Sequence, residues 1–162
     1  MFNIHESIFN MNIEENLKLM ELLLPSRGVS SESLKPEQSI CVDFANALRA
    51  LTFEKKLSYV WFHVPNEFLP SARINYTFEL KQKHMGKISG VPDYCFMSSQ
   101  DCFFIEFKAG KGRLSPNQKI FESWCLAKKI PYFLCFSAQE GLTVVLEREF
   151  NQSSLRPAKN YM

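Results

Sequence analysis

No apolar run in this 162-residue chain approaches the ~18–20 residues of a membrane-spanning helix, so no membrane segment is expected. There is no Cys-x-x-Cys pair, and the five cysteines are an odd number, which argues against a disulfide scaffold and a zinc site. The three histidines, His5, His63 and His84, are scattered and do not pair with cysteine at ligand spacing. Met1-Phe2-Asn3-Ile4-His5-Glu6 lacks the basic start and apolar stretch of a secretory leader. Reduced thiols and a cytoplasmic protein are therefore expected. Internal repeats and low-complexity tracts are also absent.

Apolar residues make up 46% of the chain and charged ones 22%, enough to bury a core within one main domain. Fifteen Phe point to a core rich in rings. The net charge of +2 says little by itself, but residues 73 to 129 carry ten Lys+Arg against five Asp+Glu. That excess is either a phosphate-binding surface or a solvated basic face.

Residues 1–35 read as an N-terminal extension: a helix from Ile13 to Leu24 that stops before Pro25, then a polar linker from Ser26 to Ser33. Pro36 opens a second helix running to about Lys56, with Ile40, Phe44, Leu48 and Leu51 on one apolar face. Leu57 to Val64 reads as a strand, Ser71 to Lys83 as a basic helix, and His84 to Pro92 as a loop. Two apolar strands flank the polar turn Ser98-Ser99-Gln100-Asp101. A Gly-rich basic loop from Ala109 to Leu114 precedes a helix capped by Ser115 and opened by Pro116. Pro131 to Phe136 is a buried strand, and Ser137 with Glu140 starts a last helix to about Phe150, although Gly141 and Thr143-Val144-Val145 disfavour it. Residues 151–162 read as a polar tail, leaving 36–150 as the main domain. The order predicts an α/β fold, a mixed sheet flanked by helices.

The hairpin carries the chemistry. Counting outward from Met97 opposite Cys102 sets Asp93 opposite Glu106, with Cβ atoms about 4.5–5.5 Å apart. Lys108 lies two residues beyond Glu106 and so shares its face. Two carboxylates and a lysine suit a divalent cation and an activated water; a salt-bridged hairpin end is the plainer alternative. Phe107 could add a backbone carbonyl as a third protein oxygen ligand.

Four segments extend the pattern in order: His63-Val64-Pro65-Asn66-Glu67, Gly90-Val91-Pro92-Asp93, Ile105-Glu106-Phe107-Lys108 and Leu114-Ser115-Pro116-Asn117-Gln118. Together they resemble the VRR-NUC domain of the PD-(D/E)xK nuclease superfamily, over roughly residues 37–148. The resemblance implies a restriction-endonuclease-like fold and Mg²⁺- or Mn²⁺-dependent DNA cleavage. It assigns Asp93, Glu106 and Lys108 to the core motif and places Gln118 near the metal. Glu67 would bind metal, through water. Glu37 matches the family's N-terminal acid only loosely and is left out of the site. A homodimer acting on duplex, flap or four-way-junction DNA is also implied, in a setting such as phage DNA processing, restriction or repair.

Lys87, Lys111, Arg113 and Lys119 are candidate phosphate contacts, alternatively solvated surface charges. Arg73, Lys81 and Lys83 form a second basic set with Lys87, interleaved with Tyr76 and Phe78. Two functions follow: a metal-dependent DNA endonuclease, or a non-catalytic nucleic-acid-binding or partner-binding module that keeps the fold.

Overall fold

A computed structural model of the chain describes residues 11–25, 33–65 and 76–154. The elements in order are α1 (Ile13–Leu23), α2 (Pro36–Phe53), β1 (Val60–His63), α3 (Tyr76–His84), β2 (Tyr94–Met97), β3 (Cys102–Phe107), α4 (Pro116–Ala127), β4 (Tyr132–Cys135) and α5 (Ala138–Ser154). They fall into two compact units, one of residues Met1–Val60 with Phe136–Met162 and one of Trp61–Cys135. Among the described residues no helix is long and apolar enough to cross a membrane.

The Trp61–Cys135 unit holds the sheet, in the order β1-β2-β3-β4. β2 and β3 are antiparallel with Met97 opposite Cys102 and Tyr94 opposite Ile105, the register that the turn predicts. Ser98 makes that turn. Its N–H donates to the Asp101 carbonyl at 2.8 Å, and its Oγ accepts from the Asp101 N–H at 3.0 Å. β4 joins β3 in parallel, pairing Phe104 with Tyr132 and Glu106 with Leu134. The sheet is therefore mixed, and β3 is central.

Alternation gives β3 two apolar faces. On one, Phe103 stacks on Phe96 at 4.6 Å between centroids, and Phe107 meets Tyr94 edge-on at 5.9 Å. On the other, Phe104 meets Phe121 of α4 edge-on at 5.5 Å. Phe96, Phe103, Ile105 and Phe107 are fully buried, each worth roughly 1.5–3 kcal/mol of transfer free energy. None of the five cysteines, all among the described residues, forms a disulfide. Burial, and then Cys102 beside it, pushes the Cys95 thiol up to about 12, so it stays protonated at neutral pH.

In the other unit, α1 starts with a capping box between Asn12 and Glu15, and Arg49 Nε of α2 donates to the Leu23 carbonyl at 2.7 Å near its end. α2 buries Phe44, Ala45 and Leu48 and packs on α5. Two expectations need correction. β1 covers only Val60–His63, because Leu57 and Tyr59 are buried outside any ladder. α5 continues through Ser154, so the polar tail cannot begin at Asn151. Buried Gln152 holds this extra turn: its Nε2 donates to the Tyr59 hydroxyl at 2.7 Å, and its Oε1 accepts from Ser58 Oγ at 3.1 Å. α3 runs from Tyr76 to His84, and residues 71–75 lie outside the described ones.

The helix at Thr143-Val144-Val145 has a physical reason. Each β-branched residue costs only a few tenths of a kcal/mol in a helix. Complete burial of Val145 returns more than that, and Ser137 Oγ caps the start by accepting from the Glu140 N–H at 3.1 Å.

Candidate metal centre

Asp93 leaves the Gly90-Val91-Pro92 loop just ahead of β2. Its carbonyl accepts from the Val64 N–H at 2.8 Å, which ties it toward β1. Its Oδ2 accepts from the Phe107 N–H at 2.8 Å. Pro92, the residue facing Phe107 in register, has no N–H to donate to the Phe107 carbonyl, and the Phe107 N–H goes to the Asp93 carboxylate. Tyr94–Ile105 and Phe96–Phe103 are the hydrogen-bonded pairs, so alternation makes Asp93–Glu106 a close, non-hydrogen-bonded pair. One carboxylate oxygen of each lies within 4.8 Å of the other. The N–H and C=O of a strand residue project to one edge, so the Phe107 carbonyl also lies on the Asp93 side.

Glu106 has no solvent exposure, which is unusual for a carboxylate. Lys108 Nζ donates to its Oε1 at 2.5 Å, with 13% of the lysine side chain exposed against 1% of the glutamate. Gln118 Nε2 donates to the same Oε1. Burying this charge is tolerable because it is both paired and hydrogen-bonded. Gly112 helps hold the lysine. Its N–H donates to the Ala109 carbonyl at 3.0 Å, and a Cβ there would lie 3.1 Å from Lys108 Cβ.

Gln118 does two things at once. Ser115 and Gln118 form a capping box: Ser115 Oγ accepts from the Gln118 N–H at 3.3 Å, and Gln118 Oε1 accepts from the Ser115 N–H at 2.8 Å. With its oxygen committed to the cap, the amide must turn its NH₂ toward Glu106. The spacing Ser115-Pro116-Asn117-Gln118 carries this box in plain sight, and reading Ser115 alone as the cap misses the second half. The two roles separate by substitution. Gln118→Ala loses a cap acceptor and a donor to a buried charge, an expected destabilisation of about 1–3 kcal/mol. Gln118→Glu keeps the cap acceptor but sets a second carboxylate against Glu106, so urea unfolding is expected to show a larger loss. A glutamate variant as stable as the wild type contradicts the donor role.

Gly90 explains how the loop and the helix approach each other. It has φ +86°, and a Cβ there would lie 2.5 Å from the Asn117 carbonyl carbon and 2.7 Å from the Gln118 nitrogen. The loop bearing Asp93 thus rests directly on the first turn of the helix bearing Gln118.

The structure brings Asp93, Glu106, Lys108 and Gln118 together. Lys111 and Arg113 are exposed on the loop after Lys108, Lys119 is exposed next to Gln118 on α4, and Lys87 is half-buried before Gly90. Glu67 and Arg73 lie outside the described residues. Glu37 is half-buried in the first turn of α2.

As a donor set, Asp93 and Glu106 fit a hard divalent cation such as Mg²⁺ or Mn²⁺, which takes carboxylate and carbonyl oxygens. Two carboxylates and one ammonium leave a net negative charge for the cation to offset. No family model matches the chain, and neither a curated protein nor a solved structure matches it.

Proposed function

We propose that this protein is a Mg²⁺- or Mn²⁺-dependent DNA endonuclease with a VRR-NUC-like, restriction-endonuclease-like fold. The reading is carried by one observation: the Asp93 and Glu106 carboxylates lie within 4.8 Å of each other, with Lys108 on Glu106. Asp93, Glu106 and the Phe107 carbonyl would hold the metal, with Glu67 a further ligand through water. Bound there, the cation would neutralise phosphate charge and ease deprotonation of water. Lys108 orients the attacking water and offsets charge on the phosphate oxygens. Gln118 holds the Glu106 carboxylate in place. Attack on phosphorus breaks a P–O bond, and the leaving oxygen takes up a proton. Lys87, Lys111, Arg113 and Lys119 would contact phosphates, which adds affinity and salt dependence but no sequence readout. A homodimer, bringing two such sites to a branched or duplex substrate, is part of the same proposal.

The test is cleavage of supercoiled, linear, flap and four-way-junction DNA with Mg²⁺, Mn²⁺ or chelator, beside Glu106→Ala. Cation-dependent cutting that Glu106→Ala lacks is expected. Equal trace activity in both proteins sinks the proposal and leaves a binding module. Asp93→Asn is expected to weaken Mn²⁺ binding by tenfold or more, read by calorimetry, because a neutral amide replaces a carboxylate ligand.

A further inference from the structure

Tyr132 opens β4 opposite Phe104 in the parallel register, so it shares the sheet face that carries Phe104 and Glu106. That face is roofed by α4 through Phe121. The Tyr132 hydroxyl oxygen is buried there, and among the described residues no protein group donates to it or accepts from it. Buried hydroxyls nearly always have a partner, and a polar site between packed layers is where an internal water supplies one. The surroundings are acidic. Burial pushes the phenol up, and Glu106 is the strongest of the charges that add to this, ahead of Glu122, Asp93 and Cys125. The hydroxyl is thus a fixed donor in the field of the Glu106 carboxylate.

We propose that Tyr132 is a positioning residue for Glu106, its hydroxyl donating to one internal water that in turn donates to the Glu106 carboxylate. Lys108 and Gln118 both approach Oε1. The Tyr132 water adds a third restraint, from the sheet side, on a carboxylate that must face the cation. The effect on metal affinity rests on the metal-centre reading above; the water site itself does not.

The test is Tyr132→Phe, which keeps the ring and its packing, beside the wild-type full chain. Mn²⁺ binding is followed by calorimetry and the melting temperature in chelator by fluorescence. Loss of a residue that orients a metal ligand is expected to weaken Mn²⁺ binding about tenfold. Unchanged Mn²⁺ affinity in Tyr132→Phe, with binding intact in the wild type, overturns the inference and leaves the metal centre standing. Absence of Mn²⁺ binding in the wild type instead removes the metal centre, and the chelator melt then decides. A lower melting temperature in Tyr132→Phe supports the water, because its hydrogen bonds are lost. An equal or higher one overturns it, because deleting an unpartnered hydroxyl is neutral or stabilising.

Discussion

Lys108→Ala is expected to lower Mg²⁺-dependent DNA cleavage by at least about 10²–10³-fold while leaving Mn²⁺ binding measurable. The magnitude is that of removing one group aimed at charge developing in a transition state. Metal binding survives because Asp93 and Glu106, the ligands, are untouched. Stability moves as well. The Lys108 ammonium sits 2.5 Å from Glu106 Oε1, and Glu106 is buried. Breaking a buried pair by deleting one partner costs about 3–5 kcal/mol. The partial exposure of Lys108 lets water into the gap and brings the expected loss to the lower end of that range. Mn²⁺ should return part of it, since the cation replaces the missing positive charge. Cleavage is therefore assayed at a temperature where calorimetry and a melt show Lys108→Ala folded. Lost Mn²⁺ binding in folded protein would reassign the lysine from the reaction to the integrity of the site.

The hairpin could be read from residues because its rules are local. A four-residue polar turn joins two short apolar strands, and side chains alternate with period two, so the register carried Asp93 to Glu106 and put Lys108 on their face. Nothing outside residues 93–108 was needed. Contacts that close the site from other elements obey no such rule. That Gln118 reaches Glu106 depends on where α4 crosses the sheet, and that Tyr132 lies under the same helix depends on β4 pairing in parallel with β3. Composition misled at the end of α5, where Asn151, Gln152, Ser153 and Ser154 read as tail; Gln152 is polar, but its partners Ser58 and Tyr59 are more than ninety residues away. β1 is shorter than its apolar run because Leu57 and Tyr59 are apolar for burial in the helical unit and not for a ladder.

Gly90→Ala is expected to be among the most damaging single-methyl changes in the Trp61–Cys135 unit. Two independent penalties combine. At φ +86° an alanine sits outside the region L-residues favour, which costs about 1–3 kcal/mol. The new Cβ would then meet backbone, the Asn117 carbonyl carbon at 2.5 Å and its oxygen at 2.6 Å, and backbone in a capped helical turn cannot rotate away as a side chain can. Overpacking of that kind adds about 1–3 kcal/mol. Relief requires the loop to lift from α4, and lifting it moves Asp93 away from Glu106 and strains the Asp93–Phe107 hydrogen bond. A loss of about 2–6 kcal/mol in urea unfolding is therefore expected together with weaker Mn²⁺ binding in whatever fraction stays folded. Gly86, with φ +96° and nothing within 4 Å of its Cβ position, is the control. Gly86→Ala carries the backbone penalty without the collision, so it should destabilise less and leave Mn²⁺ affinity unchanged. If the two variants lose equal stability and both keep wild-type Mn²⁺ affinity, the contact between the Gly90 loop and α4 does not position Asp93.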